Sequence, residues 1–203
     1  RATPRGAAPR AHGESAVAPG ERILVLNNGQ FAERFADIAR ALDITVDTVD
    51  GDWGHDIDLG ELETQLDRAP YRAVIAIHNE SSTGGVARLR EIGALLKDRP
   101  TLLIVDSVSG LGGIEMRQDD WDVDIIFTAV HKALMCPPGL SAVSLSEKAQ
   151  ALILKRNEMR GFYWDYRKAL KDMETHETPF TPPVSLMAGL RESLQMIHEE
   201  GLD

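Results

Sequence analysis

The stretch "VDIIFTAVHKALMCPPGLSAVSLS", Val123 to Ser146, carries the reading of the whole chain. Its first half is a run of apolar, β-branched and aromatic residues, the composition of a buried strand, and it stops at His131 and Lys132. Pro137, Pro138 and Gly139 then interrupt the pattern, and "LSAVSLS" alternates as a second strand does. A lysine at the end of a buried strand has two readings. Either the run reaches the surface there, or the lysine belongs to a pocket built from strand ends.

Upstream, the chain alternates between two kinds of segment. "RILVLNNG" is an apolar run stopped by a turn signal, and "FAERFADIARAL" then sets Phe31, Phe35, Ile38 and Leu42 on one helical face. "ITVDTVD" reads as a strand and "DLGELETQLDRA" as a helix with an acidic first turn. "YRAVIAI" and "TLLIVD" are further strands, separated by "VARLREIGALLKD" with Leu89, Ile92 and Leu96 on one helical face. "EKAQALILKRNEM" is helical, and Leu186, Leu190, Leu194 and Ile197 recur at helical spacing near the end. Strands separated by helices of this length predict an α/β three-layer sandwich with a mainly parallel sheet. Their near-continuous apolar character fits burial on both faces.

The 203 residues suit one domain with a two-sided core. Residues 1–18 form a head rich in Arg, Ala, Pro and Gly, expected to be disordered, and residues 19–203 form the domain. Lys and Arg number 22 against 32 Asp and Glu, so the net charge of −10 repels phosphate backbones and argues against nucleic acid as a partner. No apolar run is long enough to span a bilayer, which argues against a membrane. The single Cys136 excludes an internal disulfide and a cysteine-rich zinc site, and reads as a small residue packed beside Pro137. A cytoplasmic location is the default expectation.

In open α/β sheets the ligand crevice lies beyond the carboxyl ends of the parallel strands. At those ends stand His78, Asn79, Glu80, Ser81, Ser82 and Thr83, then Asp106, Ser107 and Ser109, then His131 and Lys132. Singly, each has an ordinary role: Asp106 capping its turn, Ser81 to Thr83 capping the next helix, Lys132 exposed. Together, a buried acid suits a cationic heterocycle nitrogen and a partly desolvated lysine suits Schiff-base chemistry. No phosphate-loop, dinucleotide or nucleophile-elbow motif competes. His78 with Glu80, and His176 with Glu177, lack a spaced third ligand, so no metal is expected.

"HNESSTGG", "LLIVDSVSGLGG", "DIIFTAVHKALMCPPGLSAVSLSEKA" and "TPFTPPVSL…GLRESL" occur in an order and spacing that resemble the class V aminotransferases of pyridoxal-phosphate fold type I. Within that family the chain is most similar to the alanine–glyoxylate and serine–glyoxylate branch, over about Pro19 to the end. The resemblance implies a pyridoxal 5'-phosphate enzyme, a homodimer, acting on a small amino acid such as alanine or serine and on glyoxylate or another 2-oxo acid. It implies that Lys132 forms the Schiff base with the cofactor and then shuttles the substrate proton. Asp106 would pair with the pyridinium nitrogen, and Val108 would pack on one ring face. Ser81 would hydrogen-bond near the phenolic oxygen. Thr181 would reach the phosphate of the neighbouring subunit's cofactor, and His131, where the family usually has Gln, could still bind phosphate.

Two departures accompany the resemblance. The head replaces the family's Ser/Gly-rich phosphate loop and stacking aromatic, and the small C-terminal domain with its carboxylate-binding arginine is not represented. The chain is therefore expected to cover only part of the large domain. The alternative function is an inactive truncated homologue acting as a dimerisation or binding partner. A cysteine desulfurase of the same class needs a cysteine on a distant mobile loop, and Cys136, four residues from Lys132, is badly placed for that.

Overall fold

The computed structural model describes residues 16–157 and 161–202. A six-stranded sheet runs in the order β2-β1-β3-β6-β7-β8. Its strands are β1 (Arg22–Asn27), β2 (Thr45–Asp50), β3 (Ala73–Ile77), β6 (Leu102–Asp106), β7 (Ile125–Ala129) and β8 (Ser141–Leu145). All neighbouring pairs are parallel except β7 with β8. The short connection from Ala129 to Ser141 has no crossover helix, so the chain can only return antiparallel. A two-stranded hairpin, β4 (Asn79–Glu80) with β5 (Gly85–Val86), follows β3.

Residues of the central strands alternate between two apolar layers. Ile23, Val25, Ile75, Ile77, Ile104, Ile125 and Phe127 meet α1 (Gln30–Ala41) and Ala149 of α4 (Glu147–Leu154) on one side. Leu24, Leu26, Val74, Ala76, Leu103 and Val105 meet α2 (Leu59–Arg68) and α3 (Leu89–Leu96) on the other. Burial on both faces is why β3, β6 and β7 carry no exposed residue. The expected three-layer α/β architecture is thus formed, and no helix among the described residues is long and apolar enough to cross a membrane.

Some local expectations shift. The deep face of α1 is Ala32, Phe35, Ala36 and Ala39, while Phe31 and Leu42 pack at its margin. Small residues win the centre because they let the helix approach the sheet closely, with Phe35 against Phe127 at a centroid distance of 6.4 Å. Ala16 and Val17, within the compositional head, are buried in the same layer, and the rest of that head lies outside the described residues. The helix read from "EKAQALILKRNEM" ends at Leu154, and Glu158 and Met159 lie outside the described residues. A further helix, α5 (Tyr166–Met173), buries no residue, although Tyr166, Ala169, Leu170 and Met173 fall at helical spacing. Last comes α6 (Val184–Glu200), whose Leu190 and Ile197 pack on Val130, Leu134 and Cys136 just beyond Lys132.

Candidate active site

The strands β3, β6 and β7 lie side by side, so their carboxyl ends bring three polar segments together. Asp106 closes β6 and is 9% exposed. Its Oδ1 accepts the Val108 N–H at 2.9 Å, an Asx turn that caps the chain reversal. The other carboxylate oxygen, Oδ2, has no hydrogen-bond partner among the described residues. Burial raises the Asp106 pKa to about 6, the Val108 N–H opposes this, the Glu80 charge adds to it and Lys132 offsets part of it. A carboxylate held this way lacks a close cation.

Lys132 lies beyond the end of β7 on an exposed turn, and its Nζ makes no hydrogen bond or ion pair among the described residues. Its charge is felt at Asp106 across the neighbouring strand end. The turn is fixed by backbone bonds from Met135 to Lys132 and from Cys136 to Val130, with Met135 at φ 55°. Ser193 of α6 donates to the Leu134 carbonyl. The lysine loop is therefore rigid in its backbone while the lysine side chain remains free to swing. His131, beside it, is exposed.

From β3 comes the third segment. Ser81 Oγ donates to Ser109 Oγ at 2.8 Å, and Ser109 Oγ donates in turn to the Asn79 carbonyl at 2.9 Å. Ser81 is thereby tied to the loop carrying Asp106, and Val108 is half-buried against the α1 layer. Thr181 is exposed ahead of α6 and makes no hydrogen bond among the described residues. Asp106, Val108, Ser81, His131 and Lys132 share one end of the sheet, and Thr181 is not bonded into that group.

One expectation is overturned. Ser82 caps not the following helix but α1, fifty residues earlier: its Oγ accepts the Gln30 N–H at 3.0 Å. Beside it, fully buried Glu80 accepts the Phe31 and Ala32 N–H groups on Oε2, and the Ser82 N–H and Oγ–H on Oε1. A carboxylate at a helix N-terminus is favourable both by hydrogen bonding and by the helix dipole. Gly29 is needed at this point because a Cβ there would lie 2.3 Å from Glu80 Cγ. With its oxygens engaged in this way, Glu80 is not poised as a metal ligand, and no cluster of three such ligands exists among the described residues.

The model of the family described as aminotransferase class-V matches residues 6–203. The chain belongs to the class V aminotransferases. It is 38% identical over 188 residues to an uncharacterised aminotransferase of Methanocaldococcus jannaschii, covering 91% of this chain and 48% of that protein. It is 36% identical to a serine–glyoxylate aminotransferase of Arabidopsis thaliana, covering 92% of this chain and 48% of that one. Among solved structures, an alanine–glyoxylate aminotransferase of a Nostoc species superposes with a TM-score of 0.91 at 33% identity, over 97% of this chain and 53% of the other. The chain spans about half the length of the relatives it matches.

Class V aminotransferases use pyridoxal 5'-phosphate, and the residues present fit it. The unpartnered Asp106 Oδ2 is an acceptor suited to the N–H of a protonated pyridine, and the unengaged Lys132 amine is a nucleophile suited to an aldehyde. Glu80 and Ser109 were visible among the strand-end polar residues, but their roles were not. Both bond to segments distant in sequence, which local pattern does not encode.

Proposed function

We propose that this protein is a transaminase that moves an amino group from a small amino acid, alanine or serine, to glyoxylate or another 2-oxo acid. The observation that carries the reading is the buried Asp106 carboxylate on β6, with one oxygen unused and Lys132 on the adjoining strand end. When bound, pyridoxal phosphate supplies an electron sink for the carbanion left as a substrate loses its α-proton. Asp106 holds the ring nitrogen protonated. Val108 presses on one ring face, and the Ser81 hydroxyl, which here donates to Ser109 Oγ, would turn from it to donate toward the phenolic oxygen. Lys132 Nζ would take the α-proton from the amino donor and pass it to the cofactor carbon, and His131 would bind phosphate. The small donor and the glyoxylate acceptor are supported by the names that the Arabidopsis and Nostoc relatives carry.

A second copy completes the assembly in this reading, with Thr181 contacting the partner's cofactor. Exposed apolar side chains on α6 and before α5 support it: Met187, Leu194 and Met196, with Phe162 and Tyr163. The decisive experiment mixes the protein with pyridoxal phosphate, reduces with borohydride and maps the modified lysine by mass spectrometry. A stoichiometric adduct on Lys132, lost in Lys132→Ala, is expected. Label scattered over surface lysines would sink the proposal.

A further inference from the structure

The turn that carries Asp106, Val108 and Ser109 is gripped by a residue the reaction itself does not call for. His78, the first residue after β3, is 1% exposed. Its backbone N–H donates to the Asp106 carbonyl at 2.8 Å, and its Nδ1 lies 2.8 Å from Ser107 Oγ. One of Nδ1 and the Ser107 hydroxyl donates and the other accepts, the tautomer setting which. The imidazole presses on Gly110, where a Cβ would stand 2.3 Å from Nδ1.

Other bonds hold the turn from the opposite side. The Ser107 N–H donates to Phe127 at 2.9 Å, and Thr128 Oγ donates to the Ser107 carbonyl at 3.1 Å, both from β7. Backbone bonds from Gly110 and Leu111 to the Ser107 carbonyl close the loop. The turn is thus clamped between β3 and β7; on the β3 side Asn79 and Ser81 hold Ser109, and the His78 ring holds Ser107.

We propose that His78 is a positioning residue, whose ring fixes turn 106–110 through Ser107 so that the Asp106 carboxylate is aimed at the cofactor ring. The proposal rests on the transaminase reading for its purpose but not for its test. Burial also lowers the His78 pKa and so favours the neutral ring. A charged ring would donate at both nitrogens, and Ser107 would have to turn its hydroxyl away.

The test is amide hydrogen exchange on the cofactor-free protein, comparing wild type with His78→Phe, which keeps a ring but no hydrogen-bonding atom, and His78→Asn, which keeps a hydrogen-bonding group near the Nδ1 position. Ser107→Ala removes the same bond from the other end and serves should His78→Phe fold poorly. In His78→Phe and Ser107→Ala the Val108, Gly110 and Leu111 amides should exchange about tenfold faster while the β1 and β3 amides keep their protection. His78→Asn should restore much of the protection. Unchanged exchange in the turn, or a uniform acceleration over the whole sheet, would overturn the proposal. Cofactor affinity, read from the fluorescence of pyridoxal phosphate, should fall about tenfold in His78→Phe and recover in His78→Asn. Should wild type itself form no Lys132 adduct, the transaminase reading fails while the exchange measurement still decides the role of His78.

Discussion

At the scale of single residues, Asp106 sets function against stability. Its pKa, raised to about 6, means the folded protein holds a proton that the unfolded chain releases near pH 3.8. Stability of the cofactor-free protein therefore declines as pH rises from about 4 to about 6, by an amount on the order of 2–3 kcal/mol from this group. Asp106→Asn removes the buried charge and keeps the acceptor for the Val108 N–H. It should raise the melting temperature at pH 7, change it little at pH 4, and abolish cofactor binding, as thermal scans and cofactor fluorescence would show. An equal effect at both pH values would mean that the site does not resist the charge. In wild type, cofactor affinity should weaken as pH falls through 6, because the protonated carboxyl no longer attracts a pyridinium.

At the scale of elements, the main device is the Glu80 clamp on α1. One carboxylate satisfies two of the orphan N–H groups at the helix start and orders the Ser82 turn at the same time. Glu80→Ala would leave those buried donors unpaired and cost about 2–4 kcal/mol. Gly29→Ala should destabilise the same junction, since its new Cβ would overlap Glu80. A change in unfolding free energy smaller than about 0.5 kcal/mol for both, read from denaturant melts, would show that water or a rearranged turn replaces the clamp without loss. The neighbouring Ser81 makes this junction matter beyond stability, because loosening the turn also releases its bond to Ser109.

At the scale of the whole molecule, apolar surface is unevenly distributed. The β1 to β7 core is closed on both faces, whereas α5 buries nothing and α6 buries only Ser193 completely. Phe162 stays 74% exposed although Lys168 sits 3.5 Å from its ring centroid, and Tyr163 stacks on Phe180 at 4.5 Å. Exposed aromatics beside exposed apolar side chains of a helix are what a protein interface uses. Sedimentation should find a dimer, and Met187→Glu with Leu194→Glu should shift it to monomer without lowering the melting temperature. A monomer from the outset would remove the proposed contribution of Thr181 to a neighbouring site.

The sequence by itself determined the layered fold. Burial on both faces writes itself into β3, β6 and β7 as unbroken apolar runs, and one-sided packing writes a helical period into α1 and α3. It also marked Asp106 and Lys132, not singly, since each has an ordinary role alone, but as an acid and a lysine at the ends of two buried strands of one sheet. Only the tertiary structure decided which strand ends are neighbours, that Glu80 and Ser82 serve α1 rather than the next helix, and that His78 grips the Asp106 turn. Those contacts join residues up to fifty-two positions apart. Hydrogen bonds between loops carry no period along the chain, so their partners exist only once the sheet has set its strand order.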